Sequence, residues 1–304
     1  MEIKNVSIIG LGALGILYGH HLSKKIPKEN LRIIADKGRI EKYRSEGIYC
    51  NGELCDFQYV TPDESVEPAD LIIFAVKYSG LDNAIKGAEN HVGDNTIFLS
   101  TLNGISSEGE IGAYYGFDKL LYCVAQGMDA VKEKNQQTYD NFGILCFGEK
   151  EGIDTPKVEQ LADFFKEVEM PFELDANMIR RQWGKFMLNV GVNQTVAVFE
   201  SDYGEIQKDG KAREMMISAM REVMTLSKYE GIDLTEEDLQ YWLDIVDTLS
   251  PRGKPSMRQD MEAKRKSELD LFAGTVVELG KKHGVGTPVN DQLYLRISEI
   301  ERGF

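Results

Sequence analysis

Cysteine is scarce in this chain, and its few thiols stand apart. None of the four (Cys50, Cys55, Cys123 and Cys146) sits in a CxxC pair or at zinc-ligand spacing, so no disulfide framework or cysteine metal site is implied. Cys50 and Cys55 could face each other across a hairpin, but reduced, half-buried thiols fit all four better. No apolar run approaches the roughly 20 residues that span a bilayer. The first residues enter a strand pattern directly, without a basic head, an apolar middle and a small-residue cleavage site. A cytoplasmic protein without a signal peptide is therefore expected. Positive charge is also short: 35 Lys and Arg against 50 Asp and Glu give a net charge of −15. That balance disfavours nucleic acid and anionic membrane as partners. An anionic small molecule stays open, because one well-placed lysine matters more to it than the global charge. There is no internal repeat, low-complexity tract or flexible linker, and no sign of a metal site.

What is present is an ordinary globular composition, 42% hydrophobic and 28% charged over 304 residues, a length that suits two domains. Short β-branched or aromatic runs alternate with helical stretches through the first half. Strands are expected at Val6–Gly10, Leu31–Asp36, Leu71–Val76, Thr96–Thr101, Leu120–Val124, Gly143–Gly148 and Pro171–Leu174. Several are continuously apolar, as strands buried on both faces of a parallel sheet should be. Residues 47–61 differ, because Asn51-Gly52 between alternating segments predicts a hairpin. From Asn177 onward the pattern is helical, over 177–199, 209–230, 235–248 and 267–284, with Gly231 and Gly284 as stop signals.

The stretch VSIIGLGALG joins the first strand to a helical pattern through Gly10-x-Gly12-x-x-Gly15. In such a loop the first glycine permits the tight turn. The second lets the backbone approach a pyrophosphate, and the third lets the helix pack on the sheet. The helix N-terminus then offers unpaired N–H groups to that anion. A lone GxGxxG is weak evidence, but here it follows a strand, opens a helix and begins a βαβ pattern. Gly10, Leu11, Gly12, Ala13, Leu14 and Gly15 are thus candidate cofactor contacts. The fold class expected is α/β, with a Rossmann-like NAD(P)-binding domain over residues 1–174 and an all-helical domain over 175–304. The second strand ends IIADKGR, so Asp36 stands where an acid usually accepts from the ribose 2′-OH of NADH. Lys37 and Arg39 just beyond could instead embrace a 2′-phosphate. These local residues leave both cofactors open.

In the helical half, Lys185, Asn189 and Asn193 are spaced by four in RRQWGKFMLNVGVNQ, so one helix face presents an ammonium and two carboxamides. Apolar residues between them mark a buried element, where polar heads need partners. A polar seam against a neighbouring helix explains the spacing as well as a functional site does.

The glycine loop, AVK ending at Lys77, LNG at Asn103-Gly104, WGKxxxNxxxN and SMRQDMEAKRKSELD occur in one order. Together they resemble the ketopantoate reductase family, across essentially the whole chain. The resemblance implies reduction of 2-dehydropantoate (ketopantoate) to pantoate by NADPH, on the route to pantothenate and coenzyme A. It makes Lys185 the catalytic lysine that protonates the new alkoxide, with Glu268 on the cofactor and active-site side. It makes Asn189 and Asn193 substrate-binding residues and places Ser256 near the substrate carboxylate. Lys77 and Asn103 match residues lining the cofactor and the interdomain cleft. Asp36 stands where the family often carries arginine, which leaves room for NADH. Arg258 stands where an apolar residue is commoner.

The chemistry supports these assignments on its own terms. Hydride transfer to a ketone generates an alkoxide, which needs a proton or a positive charge as it forms. A partly desolvated lysine becomes a better acid near neutrality. Ser256 and Glu268 pose a difficulty, however, because 12 residues of unbroken helix would part them by about 18 Å. The pairs Ser256-x-x-Gln259 and Ser267-x-x-Asp270 read as N-cap signals. The chain is therefore expected to break near Lys264–Ser267 and restart at Ser267, with Ser256 either a substrate contact or simply a cap. Lys77 and Asn103 follow strand ends, where open α/β sheets place ligands; a solvated lysine and an ordinary Asn-Gly turn are the bland alternatives. A reductase of another branched 2-keto acid, or a dinucleotide sensor without turnover, would share much of this pattern. The helical half also offers a surface on which two copies could pair as a homodimer.

Overall fold

A computed structural model describes residues 2–304. The chain divides into two compact units. The first comprises residues up to Leu102 with Ser106–Met178, the second Asn103–Ile105 with Ile179–Phe304.

The strands of the first unit are β1 (Val6–Ile9), β2 (Leu31–Ile34), β3 (Tyr49–Cys50), β4 (Glu53–Leu54), β5 (Gln58–Val60) and β6 (Ala69–Phe74). They continue with β7 (Val92–Ser100), β8 (Leu120–Gln126), β9 (Val131–Glu133), β10 (Gln136–Thr138), β11 (Ile144–Gly148) and β12 (Phe172–Leu174). Eight form one sheet in the order β12-β11-β8-β7-β6-β1-β2-β5. From β8 to β5 every pairing is parallel, β11 runs antiparallel to β8, and β12 is parallel to β11. The apolar runs follow from burial on both faces. Val6, Ile8, Ile33, Leu71, Ile73, Ile97 and Leu99 enter one core cluster, whereas their neighbours Ile9, Ile34, Ile72, Phe74 and Phe98 enter the other.

The expected hairpin forms, with Asn51 and Gly52 at φ 47° and 81°, but it is short. Its strands have two residues each, and Gln58–Val60 leaves it to pair with β2 at the edge of the main sheet. A second sheet, β4-β3-β10-β9, went unread. Its strands β9 and β10 lie in VKEKNQQT, where no apolar alternation marks a strand. All four cysteines lie buried in this unit.

The helices Met178–Val198, Lys211–Tyr229 and Glu236–Thr248 fall within two residues of their expected limits. Glu236–Thr248 opens on a capping box between Thr235 and Asp238. Close packing explains Gly191, in the middle of the Met178–Val198 helix, since a Cβ there would lie 2.5 Å from Met220 of the Lys211–Tyr229 helix.

The expected helix over 267–284 needs correction. It begins with a π-helical turn, Asp270–Gly274, continues as Thr275–His283, and stops at left-handed Gly284. Ser267 does not cap it. The Ser267 backbone N–H and hydroxyl both donate to Glu301 Oε1, at 2.8 and 2.5 Å, a charged acceptor that holds Ser267 to the last helix. The last helix, Pro288–Glu301, packs on Lys211–Tyr229 and on the π-helical turn. Among the described residues no helix is long and apolar enough to cross a membrane.

Candidate functional site

Two constructions carry the chemistry, one in each unit. In the first, a cavity of about 530 Å³ lies over the ends of β1, β2 and β6, lined by Gly10, Gly12, Asp36, Arg39 and Lys77 among others. Gly10 has φ 99°, and a Cβ on it would meet the Ala75 carbonyl oxygen at 2.7 Å. A Cβ on Gly15 would sit 1.9 Å from the Gly10 carbonyl oxygen, so the Ala13–Ser23 helix approaches the loop as only glycine allows. Gly12 is the N-cap of that helix, and its first N–H groups receive no side-chain cap. That leaves donors at the cavity for an anion, and the loop fits a dinucleotide pyrophosphate.

The expected cofactor contacts divide. Gly10, Leu11, Gly12, Asp36 and Lys77 line the cavity, whereas Ala13, Leu14, Gly15 and Lys37 do not. Gly15 acts through helix packing. Lys37 is the first residue of the Lys37–Glu46 helix and points to solvent, and Arg39 lines the cavity in its place. Asp36 caps the same helix. Its Oδ1 accepts from the Arg39 N–H at 2.9 Å, and its Oδ2 lies 3.2 Å from Arg39 Nε. Lys77 precedes the turn Tyr78–Gly80 at the end of β6.

In the second unit Lys185, Asn189, Asn193, Asn103, Ser256 and Glu268 form one connected network of hydrogen bonds. The Ser256 hydroxyl and the Met257 N–H donate to Asn193 Oδ1, at 3.2 and 3.3 Å. Asn193 Nδ2 donates to Asn189 Oδ1 at 3.3 Å, and Asn189 Nδ2 to Asn103 Oδ1 at 3.5 Å. Asn103 Oδ1 also accepts from Lys185 Nζ at 3.1 Å, while its Nδ2 donates to Glu268 Oε2 at 3.2 Å. Every carboxamide is oriented the same way, donor toward Glu268. Flipping Asn103 would aim its NH2 at an ammonium and its oxygen at a carboxylate, so the charges at either side set its orientation. Aligned bonds of this kind reinforce one another.

The distance problem between Ser256 and Glu268 is resolved by the expected break. The Ser256–Glu262 helix ends at Ala263, Lys264 turns left-handed at φ 51°, and the chain re-enters a helical turn only at Asp270. Ser256 is no cap: Pro255 holds that position, and the Ser256 hydroxyl is spent on Asn193.

Two residues that sequence reasoning missed support the arrangement. Buried Gln194 donates to Asn290 Oδ1 at 3.1 Å, and its Oε1 accepts from the Ala273 N–H of the π-helical turn at 3.1 Å. The helix carrying Lys185 is thus tied to the turn that follows Glu268. A glutamine next to Asn193 gives no sequence signal of that tie. The other is Lys132 on β9, whose ammonium donates to the Leu11 carbonyl at 2.5 Å. Burial, with smaller contributions from Lys42 and Arg39, holds Lys132 below the ordinary lysine pKa. It was missed because its strand was. Gly104, at φ 90°, packs where a Cβ would meet Leu271 at 2.7 Å, and so seats Asn103 against the same turn.

Known proteins share this layout. Residues 6–151 match the family model described as ketopantoate reductase PanE/ApbA, and residues 177–301 match its C-terminal counterpart. A 2-dehydropantoate 2-reductase of Streptococcus pyogenes serotype M3 is 26% identical over 289 residues, 93% of each chain. A PanE/ApbA family ketopantoate reductase from Ralstonia eutropha JMP134 has TM-score 0.85 at 23% identity, over 98% of this chain and 99% of that one. D-mandelate dehydrogenase, solved with NADH and anilino(oxo)acetate, has TM-score 0.86 at 22% identity over the same shares. Structural likeness at such identity speaks for the fold alone.

Proposed function

The chain belongs to the ketopantoate reductase family, and from that premise we propose that it reduces ketopantoate to pantoate with NADPH, toward pantothenate and coenzyme A. It is an NAD(P)H-dependent 2-keto acid reductase by family. The observation that carries the substrate-side reading is the directed network from Ser256 to Glu268 with Lys185 bonded at its Asn103 step.

When bound, the nicotinamide supplies the hydride that adds to the substrate carbonyl carbon. The residues of the chain do the rest. Lys185 donates to the carbonyl oxygen and gives it a proton as negative charge develops there, so ketone, hydride and proton together make the alcohol. Asn103 holds the ammonium through its carbonyl oxygen. Glu268 accepts from the other end of the same carboxamide and so keeps Asn103 from turning over. Asn189 and Asn193 extend the row along the helix face, and Ser256 at its far end would turn its one O–H from Asn193 to the substrate carboxylate when the keto acid binds. The N–H groups at Gly12 receive the pyrophosphate, and Lys77 and Arg39 flank the cofactor cavity.

Paired initial rates with ketopantoate test this, using NADPH and then NADH at equal concentration. Faster turnover with NADPH is expected. Faster turnover with NADH would keep the reaction and make Asp36 the residue that selects the cofactor. A fold shared with D-mandelate dehydrogenase leaves one competing reading, a paralogous reductase of another 2-keto acid. A panel of ketopantoate, 3-methyl-2-oxobutanoate and benzoylformate separates the two: a higher kcat/KM for either of the last two contradicts the ketopantoate assignment. Cofactor binding without turnover on any of them would instead indicate a sensor.

A further inference from the structure

We propose that Lys132, presented by the small second sheet of the first unit, is a specificity-determining residue that grips the 2′-phosphate of NADPH together with Arg39. The inference rests on the NADPH reading above and adds to it a residue from outside the glycine loop and the end of β2.

Four observations converge. Lys132 lies on β9, and its ammonium reaches the carbonyl of Leu11, the residue between the first two glycines of the loop. An ammonium has three N–H groups, and among the described residues Lys132 has no carboxylate partner. Arg39 and Lys42, three apart on the Lys37–Glu46 helix, share one face. Arg39 lines the same cavity as Leu11, which Lys132 touches, and both cations add to the downward push of burial on the Lys132 pKa. Asp36, at the ribose position, is bonded through both oxygens to Arg39, so its charge is offset locally.

Counted together, Asp36, Arg39, Lys42 and Lys132 carry an excess of two positive charges, with Asp36 and Arg39 lining the cavity and Lys132 bonded to Leu11, which lines it too. Like charges gathered with no carboxylate, among the described residues, for Lys132 or Lys42 raise the energy of the empty site and favour a dianion. A phosphate monoester, with a charge of about −1.5 to −2 at pH 7, fits that excess. A ribose hydroxyl has no charge to offer. The pyrophosphate, common to NADH and NADPH, belongs to the N–H groups at Gly12, whereas this cluster lies on the side of the helix that follows β2. The geometry thus separates an anion site that both cofactors use from one that only NADPH uses.

The chemistry of Lys132→Met and Lys132→Arg makes the test. Binding of NADPH, NADH, adenosine 2′,5′-bisphosphate and 5′-AMP would be titrated to the wild-type chain and to both variants. Lys132→Met should weaken NADPH and the bisphosphate by roughly tenfold to a hundredfold, and NADH and 5′-AMP by less than about threefold. Lys132→Arg, which keeps the charge, should recover most of the lost affinity. The NADPH affinity of the wild type should also fall more steeply with added salt than that of Lys132→Met. Equal weakening of NADPH and NADH would overturn the proposal and leave Lys132 a prop for the glycine loop. A wild-type preference for NADPH that survives in Lys132→Met would overturn it while the NADPH reading stands. A wild-type chain that binds the bisphosphate no better than 5′-AMP would contradict both.

Discussion

The two units build their sites from different material. In the first, the proposed cofactor side rests largely on backbone: a glycine turn, an uncapped helix start and strand ends. In the second, the proposed substrate side is a row of side chains whose donors and acceptors are set by one another. The first depends on how closely two backbones approach, and the second on which way each carboxamide faces. A loop of glycines can therefore be lost through one added methyl group, whereas the carboxamide network fails by losing direction.

The sharpest way to break this contrast is a matched pair of methyl groups. Gly15→Ala drives a Cβ into the Gly10 carbonyl oxygen, where nothing flexible can yield. NADPH affinity should fall by more than about a hundredfold, with a lower Tm from overpacking, read by fluorescence titration and calorimetry. Gly104→Ala strains a φ of 90° and meets Leu271, displacing Asn103. Turnover should fall by roughly tenfold to a hundredfold, with NADPH binding held within about threefold. Equal loss of cofactor binding in both variants would erase the division of labour.

A smaller effect is expected from Ser256→Ala, which removes the donor to Asn193 at the far end of the network. The KM for the keto acid should rise by about tenfold with a lesser change in kcat. A change in kcat alone would place Ser256 with the reacting atoms instead of the carboxylate.

The smallest contrast concerns acid. His20, His21 and His91, all in the first unit, are held below the ordinary histidine value of 6.5 chiefly by desolvation. A depressed folded pKa means the folded state binds fewer protons than the unfolded one. The stability involved is present above the unfolded value and lost as pH falls through the folded ones. The remaining histidine, His283, sits in the second unit with Nε2 2.6 Å from Glu230 Oε1. Between pH 7.5 and 5.5, hydrogen exchange should show protection lost in the first unit before the second. The reverse order would contradict the assignment.

Much of this was legible in the sequence, for a physical reason. Strands buried on both faces are mostly apolar, so β1, β6 and residues 96–100 of β7 announce themselves, whereas residues 92–95, partly exposed and polar, did not. The spacing of Lys185, Asn189 and Asn193 shows a shared helix face, but not what faces it. Asn103 is 82 residues from Lys185, and only the fold brings it there. The break before Glu268 could be inferred because Ser256 and Glu268 had to meet. The π-helical turn could not, since it depends on Gln194 drawing off the N–H of Ala273. Ser267 was misread because its acceptor, Glu301, lies 34 residues away. The second sheet escaped notice because its strands are short and polar, and Lys132 escaped with it.

The central claim is that Lys185 supplies the proton for keto acid reduction while the first unit binds the cofactor without it. The direct measurement is Lys185→Met, comparing NADPH binding by titration with ketopantoate turnover under saturating cofactor. The account predicts a kcat lower by roughly a hundredfold to ten-thousandfold, with the Kd for NADPH changed by less than about threefold. Turnover close to that of the wild type would contradict it.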